Sequence, residues 1–334
     1  MDVRKKTTQS AIQFKLRLNM KKIFTHLVLL SITAFPCLSA STPNQDHISQ
    51  KANFVAHVDF QSILNSKIGS HLMAEAHKQP QFAQQLNGLK AVFGLDLEKL
   101  GSATAYGSGK NDEGIVIAHG GINSSQLEGF ASLNENVVVQ KKGDKKLYSF
   151  KKGAFCTLGP DSIIVASNKK LLDHGLDVIS GESPAQKNNP MVSHLVGMVE
   201  KPMAIMTVQV PKVLAMQGRA ISAPEAAIIK KADMIGFAIG ETGSSIRVGM
   251  VMRAENEKTA EHLENVVRGA ASLLALGGGL DRNLDEVLAK IATSVSRENR
   301  IVALQLELDS AFALEKITEE MEKKNIPPTR LKVE

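Results

Sequence analysis

Six lysines, Lys141, Lys142, Lys145, Lys146, Lys151 and Lys152, crowd residues 141 to 152, and ammonium groups at that density could grip phosphates or an acidic polymer. The same stretch carries the turn signals Gly143-Asp144 and Gly153, so these lysines flank hairpin turns. There they also stay solvated and discourage edge-to-edge sheet pairing. Without interleaved arginines or several aromatics the run lacks a specific reader, which favours the solvated account. The six lysines are nonetheless the candidate binding residues of this chain.

"LLALGGGLDRN" raises a second chemistry, because glycine-rich loops often hold phosphates. Phosphate loops leave a strand and open a helix, whereas Gly277-Gly278-Gly279 leaves a helical pattern at its carbonyl end. No Lys-Ser or Lys-Thr follows, and Arg282 breaks the GxGxxG spacing. The run is read as a link between two helices, the second capped by Asn283 with Glu286 three residues on and striped by Leu284, Val287, Leu288, Ile291 and Val295.

The remaining reactive residues are scattered. His71 and Glu75 share one face of a predicted helix and His77 does not; neither HExxH nor Cys-His spacing is present, so no metal and no cofactor are predicted. Gly107-Ser108-Gly109 lies in a hairpin turn and is not a G-x-S-x-G nucleophile elbow. Cys156 shares its strand face with Ala154 and Leu158 and reads as a buried, inert thiol. Glu319 with Lys323 and Glu320 with Lys324 mark a solvated helix face. The chain has no tryptophan and two tyrosines, Tyr106 and Tyr148, which argues against sugar recognition by stacking.

The address is more legible than the chemistry. Met20-Lys21-Lys22 followed by the apolar run from Ile23 to Leu38 reads as a Sec-type signal peptide, with Met20 an alternative start. Ser39-Ala40-Ser41 allows a cut before Thr42, or after Ser39 or Ala40; Phe35-Pro36 before Cys37 argues against a lipoprotein site. Residues 1 to 41 hold seven of the 40 basic residues and one of the 34 acidic ones, so removing them leaves 33 of each. The net charge of +6 falls to zero, and with it any global field for nucleic acid. Cys156 is then the one remaining cysteine, and no later stretch has membrane-spanning length.

Elements can be placed along the rest. Residues 42 to 51 are polar and read as a flexible leader. Phe54, Ala56, Val58 and Phe60 alternate with Val55, His57 and Asp59 as a strand, and helical spacing follows from Ile63 through Met73 and again from Phe82 to Phe93, ending at Gly94. Strands at Ser102 to Tyr106 and Gly114 to Ala118 precede a short helix capped by Ser124 or Ser125, and then a meander runs to "SIIVAS". "FVAHVDFQSIL" matches "AIMTVQVPKVL" at an offset of 150, pairing Val58 with Val208 and Phe60 with Val210.

The expected organisation is a signal peptide with N-terminal extension over 1–41, a first α+β unit over 52–180, a linker with a short helix over 181–202, a second unit over 203–324 and a tail over 325–334. The fold class is α+β: two tandem β-α-β-β-α-β-like units, mainly antiparallel sheets with helices packed on one face. The strand-helix-strand pattern, the "GLDLEKLGS" turn and the leader together resemble uncharacterised secreted bacterial proteins with duplicated α+β units. The resemblance covers most of the processed chain, carries no catalytic motif and implies no activity. The function expected is a soluble, non-catalytic binding or structural protein of the periplasm or cell exterior. The alternatives are a carrier of an apolar ligand or lipid in a cavity between helices and sheet, and a hydrolase with dispersed residues. An envelope component or an apolar ligand is the expected partner.

Overall fold

Phe54–Asp59 forms strand β1, and its alternation divides it into two faces. Val55, His57 and Asp59 are buried, whereas Phe54, Ala56 and Val58 are only half-buried. The row with two polar side chains is therefore the deeper one, the reverse of what apolar alternation alone suggests.

The computed structural model describes residues 41–110, 113–212, 231–275 and 282–323. The further strands are β2 (Ser102–Gly107), β3 (Gly114–His119), β4 (Val138–Lys142), β5 (Lys145–Phe150), β6 (Gly153–Gly159) and β7 (Ser162–Ala166). β8 (Pro202–Gln209), β9 (Ala232–Thr242), β10 (Ser245–Ala254), β11 (Ala292–Glu298) and β12 (Ile301–Asp309) complete one 12-stranded sheet. Its order is β11-β12-β10-β9-β8-β1-β2-β3-β7-β6-β5-β4. The pairings are antiparallel, in the α+β class expected.

β1 and β8 pair at the join, with Ala56 opposite Met206. Outward from β1 the strands run β2, β3, β7, β6, and outward from β8 they run β9, β10, β12, β11. β1 gives way to a helix at Phe60 and β8 to helical backbone at Val210, the two residues matched in the sequence comparison.

The helices are α1 (Phe60–Asn65), α2 (Lys67–His77), α3 (Pro80–Phe93), α4 (Ser124–Ser132), α5 (Lys169–Ile179), α6 (Pro190–Val199), α7 (Glu257–Ala275), α8 (Arg282–Lys290) and α9 (Ser310–Lys323). They cover both faces of the sheet, not one. The first face carries α5, whose Leu172 and Leu176 pack on Val55, Ile117 and Cys156, and α6, whose Met191, Leu195 and Val199 pack on Ile205, Met234 and Val251. On the second face Ala131 and Leu127 of α4 meet Tyr148, Phe155 and Ile163, and Leu263 and Val267 of α7 meet Ile235, Met252 and Val302. Consecutive buried residues such as Leu147-Tyr148 and Ile163-Ile164 demand cover on both sides.

Several local expectations change. The leader 42–51 is ordered: Ile48 is 1% exposed in the core, and Gln186 donates its backbone N–H to Ile48 O at 2.6 Å. One isoleucine supplies that anchor, too little to show as a periodic pattern. The short helix expected within 181–202 is a core element, since α6 buries Met191, Val192, Leu195 and Val199. Ser66 ends α1 and caps α2, accepting from the N–H of Gly69, so the helical run after β1 is broken in two. α4 is capped by Asn123, one residue before the serines. Val295, read as the end of a helical stripe, sits on β11; α8 stops at Lys290. Thr293, Val295 and Arg297 instead alternate along a strand pairing with β12. Gly94 ends α3 as expected, at φ 67°, a left-handed position that favours glycine. Gly277-Gly278-Gly279 lies outside the described residues; α7 precedes it and α8 follows.

Candidate functional site

The lysine cluster does not form one patch. β4 is an edge strand, and its register with β5 sets Lys142 opposite Lys145 and Lys141 opposite Lys146. Successive side chains point to opposite faces, so each pair is displayed on a different side. On the first face Lys142 pairs with Asp177 of α5 and donates to Asp173 O at 3.1 Å. On the second, Lys146 lies 3.9 Å from Glu128 of α4. Lys151 and Lys152 occupy the turn at the far end of β5. Lys142 and Lys146 thus tie the sheet edge to α5 on one face and approach α4 on the other.

The other sequence candidates find separate partners. His77 Nε2 is 2.7 Å from Glu98, Glu75 takes Lys78 at 2.5 Å, and His71 Nε2 is 3.5 Å from Thr318 Oγ1 of α9. Among the described residues no group of three or more His, Cys, Asp or Glu could hold a metal ion. Cys156 is fully buried, and burial pushes its thiol up to about 11. Glu319 pairs with Lys316 at 3.2 Å; the side chain of Lys323, and Lys324 altogether, lie outside the described residues.

His57 and Ser41 bring a nucleophile type and a base together, at 3.1 Å between Oγ and Nε2. The same Nε2 is 3.1 Å from the carbonyl oxygen of Ser41, which can only accept. Nε2 therefore carries the proton, and Nδ1 accepts from the Thr104 hydroxyl at 2.8 Å. No lone pair on Nε2 is left to take a proton from Ser41 Oγ. Burial lowers the His57 pKa to about 4, so the ring stays neutral near pH 7. The arrangement is a structural clasp holding residue 41 to the central strand.

The middle of the second face has a different character. One cross-strand row runs Ala105, Ala56, Met206, Phe237, Met250, Leu304, and the next runs Ala103, Val58, Ala204, Ile239, Val248, Leu306. Every side chain in both rows is apolar, and none is fully buried. Met206 is 41% exposed, Ile239 39% and Phe237 37%. α4 and α7 flank this surface on the same face, and α2 and α9, one from each half of the chain, meet through His71 and Thr318. Apolar side chains at the centre of a wide sheet are ordinarily its most buried residues. Reading β9 from sequence misses this surface; its one visible signal is the apolar run Met234-Ile235-Gly236-Phe237-Ala238-Ile239, apolar on both faces.

No family model and no curated protein matches the chain. Among solved structures, crystal form III of TP0453 matches with a TM-score of 0.47 at 6% identity, covering 84% of this chain and 99% of that one. Crystal form I of TP0453 matches with a TM-score of 0.44 at 7% identity, over 84% of this chain and 99% of that one. Crystal form IV gives 0.47 at 5% identity, over 83% and 97%. Likeness at this level says nothing about what the chain binds or does.

Proposed function

We propose that this chain is an exported, non-catalytic binding protein of the bacterial periplasm or cell exterior, and that it takes an apolar ligand such as a lipid chain. The observation that carries the reading is the pair of all-apolar rows on the second face, with Met206, Phe237 and Ile239 each more than a third exposed. Methionine suits such a surface because its unbranched thioether adapts to ligands of varied shape, and Met206 and Met250 stand on either side of Phe237. The Sec-type leader pattern and the charge balance left after its removal support export. Among the described residues no helix is long and apolar enough to cross a membrane.

Native mass spectrometry of the protein purified from periplasm tests this directly. Retained mass that partitions into organic solvent supports the carrier, and its loss in a Met206→Lys, Phe237→Glu variant locates the site. Protein that is exported and folded yet carries no apolar mass and takes up none from vesicles refutes the carrier, leaving a scaffold.

A further inference from the structure

Asp59 closes β1 at 4% exposure, and two backbone nitrogens serve its carboxylate. Oδ1 accepts from the N–H of Ser62 at 2.8 Å, capping α1, and Oδ2 accepts from the nitrogen of Ser41. Ser41 is held a second time by His57, whose Nε2–H donates to its carbonyl at 3.1 Å. While the chain continues through Ala40, both donors to Asp59 are neutral amides. An ammonium in place of one of these amides would add the attraction of opposite charges to the hydrogen bond.

Ser39-Ala40-Ser41 permits a cut after any of its three residues. A cut before Thr42 would discard Ser41 and empty the clasp formed by His57 and Asp59. A cut after Ser39 would leave the Ser41 nitrogen an amide. We infer that the exporting peptidase hydrolyses the Ala40–Ser41 bond, and that the α-ammonium released on Ser41 pairs with Asp59 to lock the new terminus onto the central strand. Water is consumed, the carboxylate stays on Ala40 with the leader, and the Ser41 nitrogen leaves as an amine that is protonated at neutral pH. Processing then adds a charge where the fold already holds the opposite one. The inference rests on the export reading above.

The test is to express residues 1–334 with the leader intact, purify the protein from the periplasm, and determine its first residues and intact mass. The expected terminus is Ser41-Thr42-Pro43. Export with a terminus at Ala40 or Thr42 overturns this inference and leaves export standing, whereas cytosolic protein with an uncut leader overturns both. On the exported protein, reductive methylation of the Ser41 amine at neutral pH should be roughly tenfold or more slower than in denaturant, the scale of a charge-assisted bond. Asp59→Asn, which keeps a good helix cap, should restore fast labelling. A native wild-type amine that labels as fast as the denatured one overturns the pairing whether or not the variant folds.

Discussion

Met206 and Phe237 face each other across β8 and β9, near the middle of a 12-stranded sheet, and both side chains are more than a third exposed. On the proposed reading, two large apolar neighbours left open at that position would contribute more to holding an apolar ligand than to the fold. Met206→Lys with Phe237→Glu should therefore abolish retention of apolar ligand while shifting stability by less than about 1 kcal/mol, as surface changes do. Paired ligand-retention and urea-unfolding measurements check this. A large stability loss would mean that the rows belong to the core.

His57 gives the fold a pH dependence of known sign. Its pKa is about 4 when folded and 6.5 when not, so between those values the unfolded chain binds the extra proton. Stability should fall as pH drops from 6.5 towards 4, by about 3 kcal/mol at most from this residue, given 1.36 kcal/mol per unit. His119, also lowered by burial, acts in the same direction. Urea titrations across that range should show a shallower slope for His57→Gln than for the wild type. Identical slopes would remove His57 as the cause.

Cys156 should be silent towards thiol reagents in the native protein. Full burial and a thiol pushed up to about 11 leave little reactive thiolate at pH 8. Alkylation at pH 8 should become fast only in denaturant. Native reactivity at the rate of a free thiol would show that β6 opens readily.

The divided lysine hairpin should bind acidic polymers weakly. Lys142 answers Asp177 on one face and Lys146 approaches Glu128 on the other, so neither face presents the whole cluster. Retention on a polyanion column should be lost by about 0.15 M salt, where the screening length is about 8 Å. Retention beyond that salt, abolished by changing Lys141, Lys142, Lys145, Lys146, Lys151 and Lys152 to Gln, would identify the hairpin as a site. Lys142→Gln alone should lower stability by no more than about 1 kcal/mol.

Gly94→Ala should destabilise the α3 terminus. The backbone there sits at φ 67°, and an added Cβ would lie 2.9 Å from Asn123 Cβ, the residue that caps α4. A cost of roughly 1 kcal/mol or more is expected, read as a lower thermal midpoint. An unchanged midpoint would show that the contact between α3 and the α4 cap yields freely.

Most elements were readable before folding was considered. Gly94 stopped a helix where expected, the Gly143-Asp144 hairpin closed where expected, and Phe60 and Val210 begin helical backbone at the matched positions. Turn chemistry and short-range periodicity are properties of neighbouring residues, so they survive in the linear chain. β11 was lost to a helical reading because an edge strand has one partner and little apolar content to mark it.

What the chain by itself determined is where most strands and helices lie, and that residues 1–41 hold the excess positive charge; that helices cover both faces of β5 to β7 emerged only in the folded sheet. What only tertiary structure decided is orientation. Alternation in β1 separates Val55, His57 and Asp59 from Phe54, Ala56 and Val58, but it is the same pattern whichever row faces the core. The choice fell to partners more than 40 residues away: Thr104 on β2 satisfies His57, and α5 and α6 bury that side of the sheet. Pairing β1 with β8 then placed Met206 beside Ala56 and gathered apolar residues from six strands into one surface, a juxtaposition that exists only once distant strands are in register.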